Sequence, residues 1–254
     1  MEIHKTAIIG GDTSLGKDVK VGAYSIIEEG VEIGDGCEIG NYVCIKRGTK
    51  MGKNNKVYQG TVIGNPPQDL SFKGGETFVR IGSNNTIREY VTIHRATGEG
   101  TIIGNDNFLM AYCHIAHNVK IGNGVIIANA AQLAGFVLVF DYAFISGLCP
   151  VHQFVRIGEY SIIGGGYRIP KDVLPYSLTA GDPLRARGVN VVGLKRHNFG
   201  KKSIDILNRA FRFLLSRELN THQAIEMIRK KLPQREEIKH LIEFIESSER
   251  GVAI

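Results

Sequence analysis

An aliphatic residue returns at every sixth position through most of this chain. Counting by six from Ile3 meets Ile9, Leu15, Val21, Ile27, Ile33, Ile39, Ile45, Met51, Val57 and Ile63, eleven positions without an exception. Glycine follows directly at Gly10, Gly16, Gly22, Gly34, Gly40, Gly52 and Gly64, and the residue four after the aliphatic beat is small or β-branched at Ala7, Thr13, Val19, Ser25, Val31, Val43 and Thr61. Each hexad then supplies a short strand and a corner, with the aliphatic side chain inside and the glycine relieving the turn where a side chain would crowd. One hexad cannot bury its apolar face alone, so neighbours must stack. The 31 glycines, spread without low complexity, suit a chain with a tight corner every few residues.

The rhythm breaks twice. Positions 69 and 75 hold Asp69 and Gly75 inside NPPQDLSFKGGETFVR, after which Ile81, Ile87 and Ile93 resume the original phase. Beyond Ile93 the phase slips by four through HRATGEGTI, then runs twelve beats from Ile103 to Ile169. Both interruptions read as loops thrown out of a coil; such loops cost little closure entropy and tend to carry function.

Past Pro170 and Pro175 the repeat ends, and from about Ser203 the apolar period becomes helical. Ser203 is placed to cap a first helix bearing Leu207, Phe211 and Leu214, Thr221 a second, and a third is expected from Gln234 to about Ser247. Lys201, Lys202, Arg209, Arg212, Arg217, Arg229, Lys230 and Lys231 make this tail basic, either as solvated helix faces or as a surface for an acidic partner.

A chain of 254 residues, 43% hydrophobic, can bury a real core. No run approaches the roughly 18 apolar residues of a membrane span, and Met1 to Lys17 lacks a signal-peptide layout, so a cytoplasmic location is expected. The net charge of +6 does not choose between nucleic acid, a membrane face, a phosphorylated substrate and an acidic protein. Cys37, Cys44, Cys113 and Cys149 form no CxxC pair, and three of them fall on the small inward position of a hexad, where buried free cysteine is ordinary.

With three hexads per turn, residues eighteen apart share an edge, with strands about 4.8 Å apart along the axis. If both interruptions are looped out, Ile93, Ile115, Leu133 and Val151 stack, and His94, His114, His117 and His152 crowd one wall. Histidine is the commonest general base, which makes this wall a candidate catalytic surface. A metal competes, since His114 and His117 can share one with His94 or His152, although HIAHN holds no carboxylate at ligand spacing.

The same residues carry a family resemblance. LMAYCHIAHNVKIGNG, with NPPQDL, TIHRAT, LAG, VHQF and GVNVVGLKR in order, resembles the UDP-N-acetylglucosamine acyltransferases over essentially the whole chain. The resemblance implies a mainly β fold, a left-handed parallel β-helix over 1–190 with loops near 65–80 and 94–102, followed by a C-terminal α-helical domain over 191–254. It implies transfer of an (R)-3-hydroxyacyl chain from acyl carrier protein to the 3-hydroxyl of UDP-N-acetylglucosamine, opening lipid A synthesis, by a homotrimer with sites between subunits. His117 is then the general base and the Gly135 amide the oxyanion donor, though Gly135 equally suits a corner. Gln68, Asp69, His94, His114, His152 and Gln153 would hold sugar and acyl chain, Asn190 and Arg196 the uridine diphosphate, and Gly165 would lie where chain length is set. Asp69 also suits a loop-capping role. The resemblance implies no cofactor, metal or covalent intermediate, and an acidic carrier protein gives the basic tail a partner.

Five positions depart from the family pattern. Asn118 stands for the aspartate that follows the catalytic histidine, Phe136 for a sugar-contacting histidine, Val192 for a glutamate, Ser71 for a lysine and His197 for an arginine. A modified acceptor such as the 3-amino sugar, a hexapeptide acyltransferase of another pathway, a three-histidine zinc enzyme and a non-catalytic scaffold are the competing readings.

Overall fold

The computed structural model describes residues 1–254. From Glu2 to Ile163 the chain winds as a left-handed parallel β-helix in which each strand is short, most of them two residues long. Every strand pairs in parallel with the strand one full coil further along, so three parallel sheets form the faces of a triangular prism. The pairing sets Glu2–Ile3 against Lys20–Val21 and Ile27 against Ile45, a register of eighteen residues. The aliphatic beats fill the bore: Ile27, Ile45, Ile63, Ile93, Ile115 and Leu133 are fully buried. Each such side chain contributes roughly 1.5–3 kcal/mol relative to exposure.

The corners divide their work between two positions. The glycine directly after a beat is required by close approach, because a Cβ on Gly34 would lie 2.7 Å from the carbonyl carbon of Gly52, and one on Gly104 2.4 Å from the Gly122 carbonyl oxygen. The left-handed backbone conformation falls two residues later, where tyrosine, phenylalanine or asparagine often stands: φ is 58° at Tyr24, 60° at Asn118, 62° at Phe136 and 59° at Tyr142. Bulky side chains resist that conformation. Stacking on the next coil offsets the cost, with ring centroids 5.3 Å apart in Tyr24–Tyr42 and 5.0 Å in both Phe136–Phe154 and Tyr142–Tyr160.

The inward position four after the beat carries a second ladder. Cys37, Cys113 and Cys149 are buried there, and their thiols donate to the carbonyls of Gly52, Ala128 and Gly164. Burial pushes the Cys113 thiol up to about 11, which keeps it protonated and inert. Beside Cys37 the same column holds Asn55, Asn85 and Asn107, each almost without exposure. Asn55 Oδ1 accepts from Asn85 N, Asn85 Oδ1 from Asn107 N, and Asn107 Oδ1 from Val125 N, while each amide nitrogen donates to a corner carbonyl. This buried polar file satisfies itself, as a buried amide must.

Two excursions leave the coil without disturbing it. The chain departs after Asn65 and returns at Val79, which pairs with both Thr49 and Thr101; it departs again after His94 and returns at Thr101. Ile63 pairs with Ile93 and Ile93 with Ile115, so the wall between the loops is continuous.

The prism ends in a hairpin of Ser177–Ala180 and Arg185–Val189, and helices follow as α1 (Val191–Arg196), α2 (Lys201–Leu214), α3 (Thr221–Lys231) and α4 (Glu236–Glu246). Leu174, Tyr176 and Val189 join Leu207, Phe211 and Leu241 in a second apolar core. Arg156 ties the layers together, its Nε 2.9 Å from the buried Asp172 carboxylate and its Nη2 donating to the Phe244 carbonyl of α4. Two expected caps and one expected helix start are displaced. Ser203 lies inside α2, which starts after an extended Gly200; Thr221 is the first residue of α3, capped by Asn220 in a reciprocal box with Gln223; and α4 begins at Glu236 rather than near Gln234. The capping box satisfies two helix-end donors at once, which Thr221 alone would not. Six-residue α1 is too short to show a helical period. No helix is long and apolar enough to cross a membrane.

The close approach of coils makes a prediction. Gly104→Ala will lower unfolding stability by about 1–3 kcal/mol, because backbone rather than a mobile side chain blocks its Cβ. Gly11→Ala, with nothing within 4 Å of its Cβ, will stay within about 0.5 kcal/mol, as read by thermal or urea unfolding.

Candidate active site

The corner following the strand His114–Ile115 carries His117 and Asn118. One coil further on, the equivalent corner is Gly135–Phe136, and the next is Gln153–Phe154. The His117 ring lies flat over Gly135, where an added Cβ would fall 2.5 Å from Cε1 and 2.7 Å from Nε2. Only glycine leaves room for the imidazole at this place. The edge of the ring meets Phe136 at 5.3 Å.

The first loop closes over this corner. Asp69 sets its Oδ2 3.9 Å from His117 Nε2, and its Oδ1 accepts from both the amide and the hydroxyl of Ser71. Those two donors, with His117 adding to them, hold the Asp69 carboxyl below its ordinary range. One oxygen of Asp69 thus fills the expected loop-capping role while the other faces His117. The loop is fastened to the coil by Arg95, whose guanidinium lies 5.9 Å from the Phe72 ring and whose amide donates to the Asn65 carbonyl.

On its other side His117 Nδ1 lies 2.9 Å from Asn118 Oδ1. A carboxamide oxygen only accepts, so in the neutral ring Nδ1 carries the proton and the Nε2 lone pair faces Asp69. The imidazole is therefore oriented to take a proton from a group entering between the first loop and the wall.

The Gly135 backbone N–H has no acceptor in the protein. At some corners the corresponding amide is satisfied by the next coil, Lys17 N by Asp35 Oδ1, Ala23 N by Asn41 Oδ1 and Asn123 N by Asp141 Oδ1, and at others it is not. At Gly135 the next coil offers Gln153, which makes no such bond. A free amide thus lies beside the His117 ring.

His94 and His114 meet edge to face at 4.8 Å beside this corner, and His114 Nδ1 bonds to the Thr92 hydroxyl at 2.8 Å. Burial, with the nearby His114 and His117, pushes His94 down to about 4, and burial lowers His114 also. His94 Nδ1 is buried without a partner. His152 shares the wall but lies three coils from His94 in the same column, roughly 14 Å at the usual strand spacing, with its Nδ1 on the Gln153 carbonyl. The four histidines thus form a cluster of three and an outlier. No group of three or more histidine, cysteine, aspartate or glutamate side chains is placed to hold a metal ion, which removes the ligand set from the zinc reading.

The remaining expected residues are spread more widely. Gln68 is exposed beside Asp69 on the first loop. Gly165 is exposed at a corner, where an added Cβ would meet the Gly147 carbonyl at 3.3 Å. Asn190 is committed to the fold: its Oδ1 caps α1 through Gly193 N, and its Nδ2 donates to the Tyr160 carbonyl. Arg196 ends the same helix, exposed and in no ion pair. Neither residue touches the His117 corner. Thr97, Glu99 and Thr101, which surround Asn118, were not legible as site residues; their only signal was a place on an interrupting loop.

The lowered histidines make stability depend on acid. The folded chain protonates His94 only near pH 4, whereas an unfolded histidine does so near 6.5, so between those values the unfolded state holds more protons. Stability will therefore fall as pH drops from 6.5 to 4, by about 3 kcal/mol from His94 with a further loss from His114. Urea unfolding across that range will show a shallower decline in His94→Gln.

Comparisons with known proteins agree with this architecture. A model described as bacterial transferase hexapeptide matches residues 12–47 and 100–135, and one described as UDP-N-acetylglucosamine O-acyltransferase, domain 2, matches 172–253. An acyl-[acyl-carrier-protein]–UDP-N-acetylglucosamine O-acyltransferase of Thermodesulfovibrio yellowstonii is 50% identical, covering 99% of this chain and 98% of the relative. Its counterpart in Xylella fastidiosa is 44% identical over 98% of this chain and 96% of the relative. The crystal structure of a UDP-N-acetylglucosamine acyltransferase from Bacteroides fragilis superposes with a TM-score of 0.95 at 38% identity, covering 98% of each chain. The coil, the helical tail and full-length identity together place this chain in the acyl-[acyl-carrier-protein]–UDP-N-acetylglucosamine O-acyltransferase family.

Proposed function

We propose that the chain transfers an (R)-3-hydroxyacyl group from acyl carrier protein to the 3-hydroxyl of UDP-N-acetylglucosamine, the first step of lipid A biosynthesis, at the His117 corner. The observation that carries this reading is the triangle of a base with its lone pair exposed, a carboxylate 3.9 Å away and a backbone donor without an acceptor.

In this reading the acceptor hydroxyl enters between the first loop and His117. Nε2 takes its proton as the oxygen attacks the thioester carbon, because an unperturbed hydroxyl is a weak nucleophile. The carbonyl oxygen gains negative charge and the Gly135 N–H donates to it, an amide already fixed by the coil. The C–S bond then breaks and the proton on His117 passes to the leaving thiolate. Atoms and charge balance without a covalent enzyme intermediate. Asp69 and Gln68 hold the sugar from above, while His94, His114, His152 and Gln153 line the path of sugar and acyl chain, with Gly165 at its far end.

Arg196 is an exposed guanidinium without a partner, suited to a diphosphate, and lies away from His117 in the same chain. A homotrimer reconciles the two, with α1 of one copy completing the site of the next. Asn190, its side chain engaged in capping, contributes by holding that helix in place. The basic face around Lys201, Lys202, Arg209 and Arg212 meets the acidic carrier protein in the cytoplasm.

Purified protein assayed with a panel of 3-hydroxyacyl carrier proteins against UDP-N-acetylglucosamine and its 3-amino analogue tests donor and acceptor together. His117→Ala will lower kcat by about 10²–10⁴-fold, and full activity in that variant would sink the mechanism. Asn118→Asp places a negative charge beside the imidazole and favours its protonated form. The acidic limb of the pH–rate profile will move upward by about one pH unit.

A further inference from the structure

We infer that the second loop fixes the orientation of the Asn118 carboxamide, and through it the tautomer of His117, with Thr97 as the positioning residue. The inference rests on the reading of His117 as the base, but concerns which of its nitrogens bears the proton.

An aspartate beside a histidine needs no such help, since either carboxylate oxygen accepts the Nδ1 proton. An asparagine has one accepting end and one donating end. Turned by 180° about its last bond, it would offer NH₂ to Nδ1, place the ring proton on Nε2 and leave no lone pair for the acceptor hydroxyl. The amide is nearly symmetrical in shape, so packing alone does not select between the two orientations.

The contacts around Asn118 do select. Its Oδ1 accepts from the Thr97 amide at 3.0 Å and from the Thr97 hydroxyl at 2.9 Å, and its Nδ2 donates to the Glu99 carbonyl at 3.1 Å. A backbone N–H can only donate and a backbone carbonyl can only accept, so both ends of the amide are read by groups of fixed polarity. The Asn118 backbone is held as well, its N–H donating to the Thr101 hydroxyl at 2.9 Å. Asn118 is buried, which strengthens the penalty for a mismatched orientation. The excursion between His94 and Thr101 thereby acts on the chemistry through a residue it surrounds.

The test uses the full-length protein labelled with ¹⁵N-histidine. In the unaltered chain His117 will show a protonated Nδ1 and a bare Nε2. Thr97→Pro, which removes the fixed-polarity N–H together with the hydroxyl, will show a mixture of tautomers and a kcat about tenfold lower with little change in KM, the scale expected for a lost hydrogen bond at a buried polar group. Thr97→Val, which keeps the N–H and loses only a hydroxyl able to donate or accept, will keep the tautomer. In the Asn118→Asp background Thr97→Pro will cost less than about twofold, because a carboxylate has no wrong way round. An unchanged tautomer in Thr97→Pro, or an equal loss of kcat in the two backgrounds, overturns the inference. The nitrogen spectrum reads the tautomer whether or not the enzyme turns over, so failure here is distinct from activity surviving in His117→Ala, which would refute the base itself.

Discussion

Everything in this protein depends on successive coils approaching closely enough for their backbones to hydrogen-bond while the aliphatic beats meet inside. The glycine after each beat exists because the next coil's backbone occupies the space a Cβ would take, as at Gly34 and Gly104. That spacing brings corner rings to 5.0–5.3 Å, and stacking at that distance helps aromatic residues tolerate a left-handed backbone. Close approach is also what lays His117 over Gly135. The same contact that builds the scaffold thus sets a ring against a backbone amide.

The site differs from the rest of the scaffold in its histidines: His94 is buried with half-buried His114 against its ring, and both are depressed in proton affinity. Imidazoles held neutral by burial cost stability as the pH falls. The two loops supply what a periodic coil cannot, a carboxylate facing Nε2 and a polar frame around Asn118.

The coil was legible because its period is strict: the eighteen-residue register, the inward cysteines and the stacked wall of Ile93, Ile115, Leu133 and Val151 all follow from counting. Counting also brought His94, His114 and His117 together, but it set His152 beside them although three coils separate it from His94. Asp69 broke the repeat and was visible for that reason, yet its distance to His117 depends on Phe72 and Arg95, which no spacing rule connects. The frame of Thr97 and Glu99 was invisible, since it arises from a loop's backbone rather than from residue identity. Helix ends were misplaced for a similar reason: Ser203 and Thr221 have the right chemistry, but Gly200 and Asn220 hold the extended backbone from which the helices begin.

A bore filled only by aliphatic beats holds its coils together by area alone. The file of Asn55, Asn85 and Asn107 adds directional ties: each carboxamide oxygen takes a backbone N–H of the following coil and each nitrogen a corner carbonyl, and Asn85 Nδ2 also donates to Asn55 Oδ1. The asparagines therefore act as clasps between consecutive coils, and the coils they clasp are the ones the chain leaves twice. A coil sprung loose there would separate Asp69 from His117 even in a prism that looked intact from outside.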